Sequence, residues 1–429
     1  MIIFMTDTNI IQQDTATRAI LIAVSLGREE AECENSLAEL TRLLETAGGE
    51  AVATVIQNRP HPDKATYIGS GKCEEIAQMV QADPSITLAV FDNELSPSQI
   101  ASVEEIIGIR VIDRTMLILD IFALHAVTGE GKLQVEIACL RYTAPRLVGK
   151  GKMLSRQGGG IGSRGPGESK LESDRRHIRR RIEALEAELD ELERTRSVKR
   201  SQRMRSGLAT AAIIGYTNAG KSTLLNRLTD AGILAEDKLF ATLDPTTRRL
   251  TLPEGTEILL TDTVGFIDRL PTHLVRAFRS TLEELTYCDF IICLTDGSEI
   301  ASERTRKRAV TEKLIEELGA GGKPILEVYN KTDLVSDETR ELFPGNVLEI
   351  SAATGKGIEE LLVLLEQTAN GGKKLMTLFF PHSESGRVSD LYRLATVKET
   401  EYTADGTLVT ALCDERAQGM FTKFIYQKS

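Results

Sequence analysis

Apolar and polar positions change period several times along the chain, and each change marks an expected element. Ala19 to Ser25, Ala51 to Ile56, Leu88 to Phe91 and the short pair Val111, Ile112 are apolar runs of strand length. Between the first two, Leu37, Leu40, Leu43 and Leu44 fall on one helical face. This alternation predicts a small parallel α/β domain. The period then becomes helical. Leu133, Ile137 and Leu140 give a short seam, and Leu171, Ile178, Ile182, Leu185, Leu189 and Leu192 recur at spacings of seven, four, three, four and three. Two such helices joined by a loop predict an antiparallel hairpin. A second strand–helix series opens with Ala209 to Ile214 and a helical pattern through Leu224, Leu225 and Leu228. It continues through strands at Glu257 to Leu260, Ile325 to Val328 and Val347 to Ile350, and closes on a helix bearing Ile358 and Leu361 to Leu364. Beyond Gly371-Gly372, weak alternation over Leu408 to Leu412 and Phe421 to Tyr426 predicts a small α/β appendage. The expected organisation is a tail at 1–17, an α/β domain at 18–127, the hairpin at 128–206, a second α/β domain at 207–370 and the appendage at 371–429.

Composition narrows the picture. A chain of 429 residues can bury several cores, and a formal charge of −11 excludes a generally polycationic protein. Six scattered cysteines (Cys33, Cys73, Cys139, Cys288, Cys293, Cys413) form no C-x-x-C pair and read as small buried apolar residues in a reducing compartment. The N-terminus lacks a basic-then-apolar leader. The most apolar stretch, Met116 to Val127, contains Asp120 and His125 and is too short for a bilayer. A cytoplasmic monomer with no membrane span is expected.

The chemistry concentrates in the second series. Gly215-Tyr216-Thr217-Asn218-Ala219-Gly220-Lys221-Ser222 spells G-x-x-x-x-G-K-S between an apolar run and a helical pattern. Glycines at both ends let successive N–H groups turn onto phosphate oxygens, Lys221 adds a charge for the β- and γ-phosphates, and the Ser222 hydroxyl can ligate Mg²⁺. Asn330-Lys331-Thr332-Asp333 follows an apolar run and so falls at the carboxyl end of a strand, where open α/β sheets bind ligands. The Asp333 carboxylate can accept from N1–H and the exocyclic amine of guanine; adenine offers neither. Asn330 can reach the far side of the base or tie loops together, and the Lys331 stem can cover the base face. Asp262-Thr263-Val264-Gly265 ends another strand, with Asp262 able to hold Mg²⁺ through a water and the Gly265 N–H placed for the γ-phosphate. Between these lies Phe240-Ala241-Thr242-Leu243-Asp244-Pro245-Thr246-Thr247-Arg248, too irregular for one element. On chemistry alone Thr242, Thr246 and Thr247 compete to complete the Mg²⁺ shell. Ser351-Ala352-Ala353 follows a last short strand and can back the base. Together these segments imply a GTP- and GDP-binding hydrolase. Phe266 stands directly after the D-x-x-G glycine, where many switch GTPases carry a water-orienting glutamine, so slow unassisted hydrolysis is expected.

Two stretches lie outside that set. Gly69-Ser70-Gly71-Lys72 is a tempting second phosphate loop whose spacing is too short. The predicted hairpin tip, 149–167, is glycine-rich and carries Lys150, Lys152, Arg156 and Arg164 without a carboxylate until Glu168, which suits a probe for a phosphate-lined cavity.

From about Arg18 to Glu366 the chain resembles the HflX family of translation-factor-related GTPases. Besides the nucleotide motifs, the likeness rests on Tyr67 to Lys72, Asp113-Arg114-Thr115, Ile118 to Phe122, Gly131 to Glu136, Ser155 to Gly162 and Gly165 to Glu168. The resemblance implies binding to the large ribosomal subunit and its RNA, with splitting or rescue of stalled ribosomes as the role. It also selects Thr242 as the switch threonine on Mg²⁺, which makes Lys221, Thr242 and Gly265 the catalytic set. In GTPases similar to this one, asparagine at the position of Asn218 goes with K⁺ as an additional cation near the β- and γ-phosphates. Two other classes stay open: a GTP-dependent module remodelling free RNA, and a regulatory switch that binds another protein.

Overall fold

The computed structural model describes residues 17–27, 29–146, 166–205, 208–229, 239–240, 246–268, 284–336, 340, 343–345, 347–371 and 373–426. By packing, the chain divides into two compact units. The first contains Met1–Arg205 together with Ala235–Pro245 and Thr263–Glu283, and the second contains the remainder.

In the first unit, β1 (Thr17–Val24), β2 (Gly49–Gln57), β3 (Ile86–Phe91) and β4 (Arg110–Asp113) form one parallel sheet of order β2-β1-β3-β4. The helices α1 (Glu30–Thr46), α2 (Ser70–Ala82) and α3 (Pro97–Ile107) are the crossovers that parallel pairing demands. Helix α3 shows why its boundaries fall where they do. Ser96 and Gln99 form a reciprocal capping box, Pro97 occupies the first turn, and Gly108 ends the helix in the left-handed conformation at φ 81°. Ile20, Ile22, Ala89, Phe91, Val103 and Ile76 fill the core.

The apolar stretch 116–127 becomes α4 (Arg114–His125), whose residues from Arg114 to Phe122 are all buried. A helix apolar on every side belongs inside a protein. It leads into α5 (Gly129–Thr143), which packs with the long α6 (Pro166–Arg205) through Ile178 and Leu185 and the ion pairs Arg141–Glu186 and Arg181–Glu136. The buried face of α5 runs through Gln134, Val135, Ile137, Ala138 and Tyr142, while Leu133 and Leu140 are only half-buried. The simple seam was incomplete because α5 packs on α4 as well as on α6.

In the second unit, β5 (Ala209–Gly215), β6 (Thr246–Thr251), β7 (Glu257–Asp262), β8 (Phe290–Asp296), β9 (Ile325–Asn330) and β10 (Leu348–Glu349) have the order β10-β9-β8-β5-β7-β6. All pairs are parallel except β6 with β7. Helices α7 (Lys221–Thr229), α8 (Ala301–Glu317) and α9 (Ile358–Ala369) accompany this sheet, with Ile213, Leu224, Leu225, Leu260, Ile292 and Leu361 in its core. Thr246, Thr247 and Arg248, expected in an irregular stretch, start β6. Their polar side chains conceal an edge strand whose one buried apolar residue is Leu250.

The same unit ends in an antiparallel sheet of order β11-β13-β12, built from β11 (Lys374–Pro381), β12 (Thr396–Tyr402) and β13 (Gly406–Cys413), with α10 (Gly386–Leu394) and α11 (Glu415–Phe421). Of Phe421 to Tyr426, read as alternation, Phe421 ends α11 and residues 422–424 form a 3₁₀ turn, while Ile425 bridges to Leu378 of β11. Phe421 and Phe424, three positions apart, both lie on Phe380, at centroid distances of 5.9 and 4.7 Å. No described helix is long and apolar enough to cross a membrane. All six cysteines are free, and burial pushes the Cys73 and Cys139 thiols up to about 11 and about 12.

Asp120 stands out in α4. The residue is 5 % exposed, its Oδ2 atom has no hydrogen-bond partner among the described residues, and burial raises its carboxyl to about 8 against the lowering effect of Arg110. The fold therefore holds Asp120 protonated while the unfolded chain ionises near 3.8. Between those values the folded state binds the extra proton, so stability falls as pH rises and levels off above about 8. The variant Asp120→Asn is neutral at every pH. Its stability relative to the parent should rise by up to about 1.4 kcal/mol per pH unit. Urea unfolding at pH 5, 6.5 and 8 measures this, and a pH-independent difference would show that Asp120 is ionised in the fold.

Candidate nucleotide site

Strand β5 delivers the chain to the phosphate loop with two close approaches that only glycine permits. A Cβ on Gly215 would lie 2.3 Å from the Leu294 carbonyl oxygen of β8, and one on Gly220 would lie 2.3 Å from the Asn330 side-chain nitrogen. Gly220 is left-handed at φ 91°, and Asn218 at φ 64° occupies the region that asparagine tolerates better than most residues. The loop closes on Ala219 N–H to the Tyr216 carbonyl at 3.2 Å, and α7 starts with Leu224 N–H to the Gly220 carbonyl at 2.9 Å.

Lys221 is 7 % exposed and turns back over its own loop, donating to the carbonyls of Gly215 at 3.2 Å and Tyr216 at 3.0 Å. Burial lowers its ammonium to about 8, with Asp262 opposing the shift. The Ser222 hydroxyl donates to Asp262 Oδ2 at 2.8 Å, and Asp262 is fully buried at the end of β7. A hydroxyl and a carboxylate this close are hard oxygen donors of the kind Mg²⁺ takes alongside waters and phosphates, so these residues fit that ion. Among the described residues no cluster of three or more His, Cys, Asp or Glu could hold a metal by itself. Thr263, Val264 and Gly265 continue from Asp262 but pack with the first unit, as do the buried Phe266 and Ile267.

At the end of β9 the Asn330 amide joins three segments. Its Nδ2 donates to the Ala219 carbonyl at 2.9 Å, and its Oδ1 accepts from Ala352 N–H at 2.9 Å. Lys331 is left-handed at φ 61° and its ammonium reaches Asp296 at 2.8 Å. Thr332 is buried and donates through both its N–H and its hydroxyl to the Ile350 carbonyl, at 3.2 and 2.9 Å. Asp333, the next residue, is exposed. Ser351 is fully buried, and its hydroxyl accepts from Thr354 N–H at 3.1 Å. Arg227 of α7, which no local pattern distinguished, donates from Nε to the Ala352 carbonyl at 3.1 Å and also to the Ala353 carbonyl.

The second unit thus brings together 215–222, Asp262, 330–333 and 351–353. Phe240 lies in the first unit, left-handed at φ 57° and edge-on to Phe122 at 4.8 Å. Ala241, Thr242, Leu243 and Asp244 lie outside the described residues, as do Lys150, Lys152, Arg156 and Arg164. Of the competing threonines, Thr247 is in β6 with its hydroxyl 3.0 Å from that of Thr261. The sequence Gly69-Ser70-Gly71-Lys72 starts α2. The Gly69 N–H donates to Gln57 at 3.0 Å and Lys72 pairs with Glu75, so a helix start accounts for it.

A phosphate loop after β5, an aspartate ending β7 and N-K-x-D ending β9 of one mostly parallel sheet define a P-loop GTPase domain. Three family models match the chain: "GTP-binding GTPase N-terminal" over residues 34–123, "GTP-binding GTPase Middle Region" over 125–203 and "50S ribosome-binding GTPase" over 210–331. The chain is 50 % identical over 396 residues to GTPase HflX of Lacrimispora saccharolytica, covering 92 % of this chain and 93 % of that one. It is 40 % identical over 400 residues to GTPase HflX of Escherichia coli, with 92 % and 93 % covered. The chain belongs to the HflX GTPase family, and hydrolysis of GTP is its activity. A GTP-binding protein of Sulfolobus solfataricus solved with GDP is 26 % identical, with a TM-score of 0.42 over 83 % of this chain and 99 % of that one.

The lowered Lys221 ammonium has a consequence for binding. At pH 8 about half of these side chains are neutral in the free protein, and nucleotide phosphates would draw the proton back. Nucleotide binding at pH 8 should therefore take up about half a proton, and affinity should fall by up to about tenfold per unit above that pH. Calorimetry in two buffers of different ionisation enthalpy reads the uptake directly. Its absence would mean that Lys221 is already fully charged in the free protein.

Proposed function

We propose that the protein is a GTP-gated ligand of the large ribosomal subunit that splits or rescues stalled ribosomes. The observation that carries the nucleotide half is the Asn330 bond set, which ties Ala219 of the phosphate loop and Ala352 of the base-side loop to the end of β9, three residues before Asp333. The ribosomal half draws support from the family and from the basic tip with Lys150, Lys152, Arg156 and Arg164. Each cation that meets an RNA phosphate releases counterions, so a phosphate-lined cavity suits that segment.

In this reading the loop 215–222 cradles the phosphates, and Asp333 recognises the guanine edge. Ser222 and Thr242 would ligate Mg²⁺, and Asp262 would hold it through a water. The ion, when bound, neutralises charge on the β- and γ-phosphate oxygens. Thr242 and the Gly265 N–H order their segments against the γ-phosphate, and hydrolysis releases both. Phe266 is buried and can neither take a proton nor orient water, so a partner completes the site. Asn218 would hold K⁺ as a further positive charge for the transition state.

The deciding experiment is GTP turnover by the full chain with purified large subunits and with protein-free ribosomal RNA, in potassium and in sodium buffers. Stimulation by assembled subunits alone is expected. Equal stimulation by free RNA would favour an RNA-remodelling module, no stimulation by either would favour a protein-binding switch, and equal rates in the two buffers would remove the potassium ion. The base assignment has its own test. Asp333→Asn exchanges an acceptor oxygen for a donor amide, so GTP affinity should drop by several kcal/mol while xanthosine triphosphate binding improves. Unchanged GTP affinity would place base recognition elsewhere.

A further inference from the structure

We propose that Asp113 and Arg114, adjacent residues at the β4–α4 junction, form a relay between the chain that follows Gly265 and the last turn of α5. It rests on the γ-phosphate role proposed above for Gly265.

Arg114 is buried, and its guanidinium reaches acceptors on separate segments. Nη1 donates to Asp92 at 3.0 Å, and Nη2 donates to Glu39 of α1 and to the carbonyl of Asp268 at 3.3 Å. Asp92 is held in turn by the Ser36 hydroxyl at 2.8 Å. Asp268 stands three positions after Gly265, and the residues between, Phe266 and Ile267, are buried. The first residue of α4 thus holds the backbone three positions downstream of the D-x-x-G glycine.

Asp113 points its carboxylate the other way. Oδ1 caps α4 by accepting from Met116 N–H at 3.1 Å. Oδ2 accepts from Leu95 N–H at 3.2 Å, from the Tyr142 hydroxyl and from Arg146 at 3.2 Å. Arg146 lies over the Tyr142 ring, 3.4 Å from its centroid, and donates to the Leu95 carbonyl at 3.0 Å. It is the last described residue before the glycine-rich basic segment.

Neither side chain can absorb a displacement alone. Arg114 is a buried cation held between the carboxylates of Asp92 and Glu39, whose charge it compensates, and Asp113 is fixed by its cap. A movement of the Asp268 carbonyl therefore has to pass into the backbone at 113–114, and from there to Tyr142 and Arg146. Packed interiors transmit such shifts because they do not deform continuously. By reciprocity, whatever moves the end of α5 changes nucleotide affinity by the same factor. Asp113 and Arg114 are positioning residues: neither touches the nucleotide.

Amide hydrogen exchange of the full chain, with GDP and with a non-hydrolysable GTP analogue, tests the relay. In the parent, both 264–268 and 136–146 should change exchange rate between the two nucleotides, by about fivefold or more. Arg114→Lys keeps a cation for Asp92 and Glu39 but lacks the fork that reaches three acceptors. Tyr142→Phe removes one donor and leaves every charge in place. In both variants the response at 264–268 should survive, and the response at 136–146 should shrink to less than about twofold. A full response at 136–146 in either variant overturns the relay, as does a parent in which 264–268 responds and 136–146 does not. A parent with no response at 264–268 overturns it too, and removes the γ-phosphate role of Gly265 with it. Should Arg114→Lys fail to fold, Tyr142→Phe reads the same relay.

Discussion

The side-chain amide of Asn330 is the point on which the nucleotide half of the molecule turns. An amide carries one good acceptor and two donors, and here both kinds are spent on backbone: the Ala219 carbonyl and the Ala352 N–H. Replacing either by water would require opening a buried site, because Asn330, Ala219 and Ala352 all lie inside. A buried amide left half-satisfied costs about 1–3 kcal/mol, so the two loops are bound to β9 together or not at all. Gly220 follows from the same bond. The Asn330 nitrogen sits where a Cβ at 220 would lie, so the glycine of G-K-S serves the loop crossing as well as the phosphate turn.

Much of this site was legible in the sequence because its parts are local. A phosphate loop must be glycine-rich at fixed offsets, and apolar runs before Asp262 and Asn330 fix both residues at the ends of parallel strands. Other features depend on contacts between distant segments, and no local period records those. Arg227 reads as an ordinary surface position of α7, and only the fold brings it to the Ala352 and Ala353 carbonyls. Thr246 and Thr247 failed to read as a strand because an edge strand needs few apolar residues, and β6 buries only Leu250. Phe421 and Phe424 misled for the opposite reason. Two aromatic residues with polar neighbours mimic alternation, although their three-residue spacing serves a helical turn against Phe380.

The first unit shows a different kind of illegibility. Its sheet was evident from apolar runs, yet its most constrained residues are charged. Asp113, Arg114, Asp92 and Asp120 are all buried, and nothing in their spacing announces it. Three of them are paired. A buried ion pair gains little net stability over apolar packing, since desolvation offsets most of the attraction. Its expense is better explained by what it fixes, and Asp113 and Arg114 fix segments far away in sequence, at Tyr142, Arg146 and Asp268. Asp120 makes the contrast: it avoids the cost of a buried charge by keeping its proton.

Asn330 and Arg114 solve one problem with different chemistry. Each holds a loop by its backbone, so neither constrains which side chains the loop displays. The amide is neutral and suits a junction beside negatively charged phosphates, where another fixed charge would alter binding. The guanidinium carries more donors and can hold three acceptors at once, but it must be compensated by carboxylates wherever it is buried. That compensation makes the Arg114 junction stiff. A hydrolysis reaction that loosens one backbone segment needs such a stiff element nearby if the event is to be felt anywhere else, because a compliant surface would dissipate the motion. The buried charged cluster at the β4–α4 junction, bonded through Arg114 to the Asp268 carbonyl beyond D-x-x-G, meets that requirement.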